Sequence, residues 1–504
     1  MGAAAASNLT PFVSAKSARK KKPKPKLGLA FWMERVLEEC DRAAAGFEAD
    51  PVHDLRVALR RCRSLADGLM AMDPDRSWKD MKKAGKKLFQ ALGELRDMQV
   101  MKEWIEKLGN PGDPVAVKLL NHVHARETEC KQLAWKDLNQ FDRRRWGQWS
   151  RSLPRRAARL RPGNPVYLHL ALEKWTDAYE LHKRAVRTRS QIALHQLRIG
   201  IKRFRYTVEN FLPVQHALWG DRLKELQDLL GEVHDLDVLW ATALEIMAFP
   251  DPESRSRWRE KLNHERNERV ERYRELMIGK QSLWRVWRAA LPAGPDLRAA
   301  ALNRLRVWAG YLDPDFAHAQ RVSQLSLRLY DGLRFAHLLG DAHQHDSREV
   351  LEAAAFMHDV GRAKGSDKHQ KRSFRLIMKL SRPLGWSPRE LELAAVVARY
   401  HRGALPTPRR KIMQHLDLPD RHLALQLAGV LRLANALDTH NRARATLTVE
   451  SRDHVVLIHA AGYSPLDRNA EEIAASRHLL EIVIHRPIMI RTLRTAPRRH
   501  PTAS

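Results

Sequence analysis

The stretch VHDLRVALRRCRS, residues 52–64, decides how the first half of this chain is interpreted. A helix turns by about 100° per residue, so His53, Arg56, Arg60 and Arg63 fall within an arc of about 80° on one face. Its apolar residues gather on the opposite face, as is typical of a helix that packs against a core. A second stretch, LHQLRIGIKRFRY at residues 194–206, repeats the pattern.

Like charges at these intervals destabilise a free helix, and an ordinary solvated face mixes signs instead. We interpret the two basic faces as surfaces for an anion, because the planar fork of Arg donates two hydrogen bonds to phosphate at once. A merely solvated face is the alternative, and the two histidines have the further alternative of helix caps or packing residues. The candidate anion-binding residues are His53, Arg56, Arg60, Arg63, Lys83, Lys86, His195, Arg198, Lys202, Arg205, Arg222 and Lys224.

The composition favours the same kind of partner. The 504 residues include 89 Lys and Arg against 59 Asp and Glu, which gives a formal charge of +30. Such a charge calls for a polyanion, and nucleic acid, polyphosphate and an acidic membrane surface all satisfy it. No apolar run is long enough for a transmembrane helix, and no secretory signal is recognisable. The three cysteines form no metal-type pair. We therefore expect a cytoplasmic protein without a membrane partner.

Breaker residues and charge runs divide the chain into segments. SAKSARKKKPKPK predicts a basic, disordered N-terminal tail, and LPAGPD marks a boundary near the middle. ATLTVESRDHVVLIHAAG alternates and is rich in β-branched residues, which predicts a small β-hairpin after a second helical region. The fold class is all-α. The predicted segments are a basic tail (1–26), a helical domain (27–280), a linker (281–299), a second mainly helical domain (300–490) and a basic tail (491–504).

A second pair of motifs follows the two basic stretches. LGELRDMQV begins at Leu92 and LGEVHDLDV at Leu230, in the same order and at nearly the same spacing as the basic pair, which indicates an internal duplication. With these four motifs, residues 27–280 resemble the CHAD domain, the conserved-histidine α-helical domain. The resemblance implies two four-helix halves related by pseudo-twofold symmetry, whose basic helices line a pore or groove that binds inorganic polyphosphate. It also implies that Asp97, Asp235 and Asp237 orient basic side chains or cap helices.

The second half contains AAAFMHDVGRAKG, in which His358 stands next to Asp359. His318 lies on an earlier predicted helix, His369 follows a Gly-containing turn, and LRLANALD supplies Asn435 and Asp438 on a later helix. His and Asp side chains from separate helices suit a divalent metal, which can activate water against a phosphate. From the spacing alone, a metal site and satisfied core histidines are both open.

Together with HAQRVSQLSLRLYDGL and ARYHRGALP, these motifs resemble the HD-like C-terminal domain of the exopolyphosphatase/guanosine pentaphosphate phosphohydrolase family over residues 300–490. The resemblance implies that His318, His358 and Asp359 occupy HD ligand positions, with Asn435 in place of the last Asp. An amide is a poorer divalent ligand than a carboxylate, so a metal cofactor, Mn²⁺ or Mg²⁺, and catalysis are left open.

The same resemblance implies that this domain helps to hold a polyphosphate chain. The family's main chemistry resides in an actin-like module with Gly-rich phosphate loops, and the helical first half here has no such loop. The candidate phosphate contacts in the second domain are Arg362, His369, Lys371, Arg372, His401 and Arg402.

The functional prediction is an all-α protein of two modules that binds inorganic polyphosphate through its basic helical faces, assisted by the HD-like domain. Targeting of polyphosphate granules and regulation of polyphosphate metabolism are the implied roles. The alternative is a metal-dependent phosphohydrolase acting on polyphosphate or a phosphorylated nucleotide. Nucleic acid is expected only as a nonspecific competitor, because no aromatic stacking platform or known nucleic-acid motif is present. The oligomeric state is left open.

Overall fold

The helices begin and end where the amphipathic pattern and the capping residues indicate. The computed structural model describes residues 28–340, 344–438, 446–466 and 468–493, so the predicted tail at 1–26 and most of the one at 491–504 lie outside the described residues. Within these ranges the chain forms nineteen α-helices and one three-stranded sheet. The all-α fold class is confirmed.

The first module is built from ten helices. Asn164 and Ser190 accept hydrogen bonds from the backbone N–H of Val166 and Ala193, which fixes the starts of two of them. The helices are α1 (Leu29–Ala44), α2 (Ala49–Leu69), α3 (Arg76–Ala84), α4 (Lys86–Leu108), α5 (Pro114–Asn139), α6 (Arg143–Ala157), α7 (Pro165–Thr188), α8 (Gln191–Phe211), α9 (Pro213–Glu245) and α10 (Pro252–Met277).

Equivalent helices of the two halves pair in the same way. Helix α1 packs on α2 as α7 packs on α8, α2 on α4 as α8 on α9, and α4 on α5 as α9 on α10. The halves meet where α2 contacts α8 and α4 contacts α9, so the duplicated motifs face each other. The apolar face predicted for α2 is buried at Leu55, Leu59 and Cys62, and that predicted for α8 at Ile201 and Phe204.

The segment predicted as a linker, residues 281–299, is folded. It contains α11 (Leu283–Ala289) and the first turn of α12 (Gly294–Leu312). Trp284 and Trp287 of α11 are buried in the core of the first module. The two indole rings therefore anchor α11 in the first module, and the second module begins directly after it.

The second module is helical with a small sheet at its end. The predicted hairpin is present as β1 (Leu447–Arg452) and β2 (Val455–Ala460), which are antiparallel. A third strand, β3 (Ile488–Thr492), pairs in parallel with β2 and was not predicted. The remaining elements are α13 (Phe316–Phe335), α14 (Gln344–Met357), a 3₁₀ turn (Val360–Lys364), α15 (His369–Ile377), α16 (Pro388–Arg399), α17 (Lys411–Gln414), α18 (Leu418–Leu437) and α19 (Ala470–Ile484).

Helix α12 joins the two modules by packing on α7. Arg304 of α12 is only 6% exposed and forms an ion pair with Glu173 of α7. His169, on the same face of α7, donates from Nε2 to the carbonyl oxygen of Leu384 at 2.9 Å. The hydroxyl of Tyr311 donates to a backbone carbonyl of α6 at 3.2 Å. The modules are thus held together by buried polar contacts as well as by chain connection. None of the helices in the described ranges has the length and apolar character that a membrane crossing requires.

Candidate functional sites

Four basic side chains come together where α2 contacts α8. Arg56 and Arg60 on α2 face Arg198 and Lys202 on α8, and we call these four residues the cationic cluster. Burial, followed by the positive charges of Arg60, Arg198 and Arg56, lowers the pKa of Lys202 to about 8. Burial is also the main cause that lowers the pKa values of Arg56 and Arg60. The cluster is therefore a site where several partly desolvated cations repel one another.

Aromatic rings lie against the guanidinium groups of these arginines. The guanidinium carbons of Arg56 and Arg63 lie 5.4 and 5.2 Å from the ring centre of Phe89 on α4. That of Arg60 lies 5.7 Å from the ring centre of Tyr206. These distances allow cation–π attraction, which holds a guanidinium in place without neutralising it. Neither ring was among the predicted site residues, although Tyr206 ends the second basic stretch.

Two buried carboxylates, those of Asp97 and Asp235, lie beside the cluster. No member of the cationic cluster forms an ion pair within the ranges that the structure describes. Asp235 on α9 lies close to Arg198, yet burial raises the pKa of Asp235 to about 6 against the lowering effect of that arginine. Glu209 is paired with Arg61, outside the cluster. The four cations outnumber the two adjacent carboxylates, so the cluster keeps a net positive charge.

The other predicted anion contacts surround the cluster at different depths. His195 Nδ1 lies 3.4 Å from His234 Nδ1 on α9, and burial lowers the pKa of His234 to about 4. Arg63 donates to the carbonyl oxygen of Lys82 at 2.7 Å. Arg222 pairs with Glu225 at 2.7 Å. The exposed residues of this set are His53, Lys83, Lys86 and Lys224, and the charges of Arg60 and Arg56 help to lower the pKa of His53 after the effect of burial.

A second site lies in the second module, around the carboxylate of Asp359. His369 Nε2 is 2.9 Å and His401 Nε2 is 3.6 Å from Asp359 Oδ1. His358 Nε2 is 3.6 Å and His318 Nε2 is 4.0 Å from Asp359 Oδ2. We call these five residues the Asp359 cluster. It brings together residues from α13, the end of α14, α15 and the end of α16.

The imidazoles of this cluster are oriented by the backbone. Nδ1 of His358, His369 and His401 donates to the carbonyl oxygen three residues earlier, at 2.7, 2.7 and 2.8 Å. This bond leaves the Nε2 lone pair free to act as a ligand, as in metal sites whose second shell fixes the tautomer. The buried His358 Nε2 and Asp359 Oδ1 have no hydrogen-bond partner among the described residues.

The donor set suits a divalent metal ion. Two groups, His318–His358–Asp359 and Asp359–His369–His401, have ligand atoms within 4.8 Å of one another. Imidazole nitrogens with a carboxylate oxygen are ligands typical of first-row transition metals. Burial acts to raise the pKa of Asp359, but the surrounding imidazoles, His358 first among them, and the guanidinium of Arg362 lower it below the usual range. The carboxylate is therefore ionised and ready to bind a cation.

Asn435, predicted at a metal-ligand position, contacts a histidine of the cluster. Asn435 Oδ1 lies 3.0 Å from His318 Nε2, while His318 Nδ1 lies 2.6 Å from Asp438 Oδ2. Arg321 in turn donates from Nε to Asp438 Oδ1 at 2.8 Å. Asp438, which the sequence also offered for a metal site, thus contacts the Nδ1 side of the His318 ring.

His369 and His401 occupy a different place from the one predicted. Both were expected to contact phosphate, but they are 4% and 2% exposed and lie against Asp359. Among the other predicted contacts, Arg362 donates to Asp359 at 2.9 Å and Arg372 to the carbonyl oxygen of Gly361 at 3.0 Å. The side chains that remain exposed are those of Lys371 and Arg402.

Comparison with known proteins identifies both modules. Residues 32–244 match the model of the CHAD domain family, and residues 305–466 match that of the Ppx/GppA phosphatase, domain III. The chain therefore combines a CHAD domain with a Ppx/GppA domain III, which confirms both resemblances. A solved structure that it resembles is the CHAD domain from the plant Ricinus communis, at 21% identity, with 53% of this chain and 90% of that chain covered and a TM-score of 0.36. No curated protein matches the chain.

Proposed function

We propose that this protein binds inorganic polyphosphate at the cationic cluster between α2 and α8. The observation that carries the proposal is the group of four partly buried cations that form no ion pair with any described residue, in which the pKa of Lys202 is lowered to about 8. Such repulsion destabilises the free protein and is offset when an anion binds. Both matched domain families are linked to polyphosphate, which supports this choice of anion.

Nucleic acid fits the cluster less well than polyphosphate. Binding of a single strand commonly uses exposed aromatic rings on which bases stack. Here Tyr206 is 8% exposed, and the face of Phe89 is occupied by two guanidinium groups. The cluster therefore offers charge without a surface for bases.

The second module extends the proposal. Its exposed Lys371 and Arg402 would add contacts to the same chain, and the docked α12 keeps the two modules together. Linked sites of this kind raise the effective concentration of the second contact. An association with polyphosphate granules in the cytoplasm belongs to the same proposal.

The first experiment is a titration of the full chain with long-chain polyphosphate at several salt concentrations, with double-stranded DNA as competitor at equal phosphate. We expect affinity to fall steeply with salt, because each neutralised phosphate releases a counterion, and DNA to compete poorly. Arg56→Glu with Arg198→Glu should weaken binding at least a hundredfold while helicity is retained.

The matched control changes the same charge elsewhere. Arg144→Glu with Arg151→Glu alters two exposed arginines of α6. We expect these substitutions to weaken binding only a few-fold through the overall field. An equal loss in both double variants would assign binding to net charge, and an unchanged affinity in the first would exclude the cluster.

A second candidate function, a metal-dependent phosphohydrolase, is favoured by the Asp359 cluster. The Nε2 atoms of its histidines are oriented toward one carboxylate. Two buried potential ligand atoms, His358 Nε2 and Asp359 Oδ1, have no hydrogen-bond partner in the described residues. Asp359, His369 and His401 would hold the metal, together with His358 and His318. A divalent ion there supplies Lewis acidity and a means of activating water. Arg362, which is part-exposed beside Asp359, can bind a phosphate oxygen.

The same titration samples test this candidate. Free phosphate is measured with and without Mn²⁺ or Mg²⁺, using polyphosphate and phosphorylated nucleotides as substrates. Release that needs metal and is lost in His358→Ala would establish a hydrolase. Binding without release under either metal would leave the Asp359 cluster without this activity.

A further inference from the structure

Tyr206 of α8 carries an unpartnered buried hydroxyl. The residue is 8% exposed, and its hydroxyl has no hydrogen-bond partner within the part of the chain that the structure describes. Other buried tyrosines of the same domain are satisfied: Tyr167 donates to the carbonyl oxygen of Leu160 at 3.3 Å, and the hydroxyl of Tyr273 lies 2.7 Å from His182 Nδ1. A buried polar group without a partner is unusual and calls for an explanation.

The groups around this hydroxyl are also donors without acceptors. The guanidinium of Arg60 lies over the Tyr206 ring at 5.7 Å, and that of Arg205 lies at 5.8 Å. The Nε atoms of Arg56 and Arg60 are buried and lack a partner as well. The carboxylate of Glu209 forms ion pairs with Arg61 and Arg205, although its Oε2 makes no hydrogen bond within the described residues. Donors from α2 and α8 therefore converge here, and the described residues leave the Tyr206 hydroxyl and the Nε atoms of Arg56 and Arg60 without a hydrogen bond.

We propose that the contact between α2 and α8 is a socket for one phosphoryl group, in which the Tyr206 hydroxyl donates a hydrogen bond to a phosphate oxygen beside Arg56 and Arg60. This inference rests on the proposed polyphosphate function and makes it more specific. A tetrahedral phosphoryl group presents acceptors in several directions, which matches donors that arrive from two helices. The long side chain of Arg60 covers the ring, so a change of its rotamer opens the socket.

As a consequence, one phosphoryl group of a bound polyphosphate chain occupies a defined position, in addition to the general attraction of the chain to the positive charge of the protein. The phenol is an uncharged donor, so it adds affinity without releasing a counterion. Short and long phosphate chains should use the socket equally, since it takes one phosphoryl group.

The test is Tyr206→Phe in the full chain, with dissociation constants for long-chain polyphosphate and tripolyphosphate at several salt concentrations. We expect both ligands to bind about tenfold more weakly, as for a lost hydrogen bond to a charged acceptor. The slope of log affinity against log salt should stay unchanged. Tyr167→Phe, which removes a hydroxyl bonded to a backbone carbonyl, is the control and should bind as the wild type does.

The outcomes separate this inference from the function on which it rests. Wild-type protein that fails to bind polyphosphate defeats the proposed function before any variant is made. Binding by Tyr206→Phe at wild-type affinity, while Arg56→Glu with Arg198→Glu abolishes it, overturns the socket alone. A changed salt slope, a changed stoichiometry or a lowered melting temperature in Tyr206→Phe also overturns it, because each would indicate a rearranged cluster.

Discussion

His369 Nε2 and Asp359 Oδ1 lie 2.9 Å apart in the interior of the second module, and His401 Nε2 lies 3.6 Å from the same oxygen. Both imidazoles use Nδ1 for backbone hydrogen bonds, so the carboxylate is the natural centre of a metal site. The arrangement can be tested without any assumption about a reaction.

The first prediction concerns metal binding by this centre. Asp359→Asn keeps the shape of the side chain but removes its charge and one strong ligand oxygen. We expect the affinity for Mn²⁺ to fall at least a hundredfold, measured by calorimetry on metal-free protein, with folding checked by circular dichroism. Asp367→Asn, in the same loop but exposed, should bind Mn²⁺ like the wild type. Equal affinities in all three proteins would show that the cluster is not the metal site.

The second prediction follows from the lowered pKa of Lys202. A bound polyanion favours the ammonium form and so raises the pKa of Lys202 above its value of about 8 in the free protein. Binding then takes up a proton above that pH, and affinity falls as pH rises from about 8 toward the pKa of the complex. Lys202→Met should flatten this profile. Lys224→Met, at an exposed position of α9, should lower affinity uniformly across the same pH range.

The lowered pKa of Lys202 also makes the free energy of unfolding depend on pH. The folded pKa of Lys202 is lower than its ordinary value of 10.5, so the unfolded chain binds more protons between the two values. The burial of the ammonium group therefore costs stability below pH 8, and stability rises with pH through this window. Lys202→Met should stabilise the free protein at pH 7 by roughly 1 to 3 kcal/mol, measured by urea unfolding. A destabilised variant would contradict this assignment of the pKa.

The sequence predicts the features that depend on local periodicity. The buried faces of α2 and α8 follow from a repeat of 3.6 residues, and the hairpin of β1 and β2 from alternation in one short segment. The strand β3 could not be inferred in this way, because its parallel partner is separated from it by α19.

Periodicity predicts candidate site residues only where neighbours in sequence are neighbours in space, and the grouping of His318 with His358 and Asp359 followed instead from the family resemblance. The charged face that contains Arg56 and Arg60 was visible in one stretch of the chain. His369 was predicted both as part of a possible metal site and, through the family resemblance, as a phosphate contact. Its position beside Asp359 is set by the way α15 packs against the 3₁₀ turn. Tyr206 stands beside Arg205 in the chain, and its buried hydroxyl depends on the contact between α2 and α8.

The third prediction concerns the contact between the modules. Glu173→Gln leaves Arg304, 6% exposed, without its carboxylate partner. Breaking such a pair costs about 3 kcal/mol. We expect the wild type to unfold in a single calorimetric transition and the variant to unfold in two. Glu180→Gln, on the same helix but in an exposed pair with Lys183, should change stability by less than about 0.5 kcal/mol. A single, unshifted transition in Glu173→Gln would show that the ion pair does not couple the modules.

The last prediction uses Gly361, where the 3₁₀ turn meets α15. Its N–H donates to Ser373 Oγ at 2.9 Å, and a Cβ added there would lie 2.3 Å from the carbonyl oxygen of His369 and 2.7 Å from the backbone nitrogen of Ser373. These are backbone atoms, so Gly361→Ala can be accommodated only if α15 shifts, at a cost of about 1 to 3 kcal/mol. Because α15 begins with His369, the shift moves Nε2 away from Asp359. We expect a lower melting temperature and at least tenfold weaker Mn²⁺ binding.

Gly147→Ala, in mid-helix of α6 with open space around the new methyl group, should leave metal affinity unchanged and stabilise the protein by about 0.5 to 1 kcal/mol. Wild-type Mn²⁺ affinity in Gly361→Ala would mean that the position of α15 does not set the metal site.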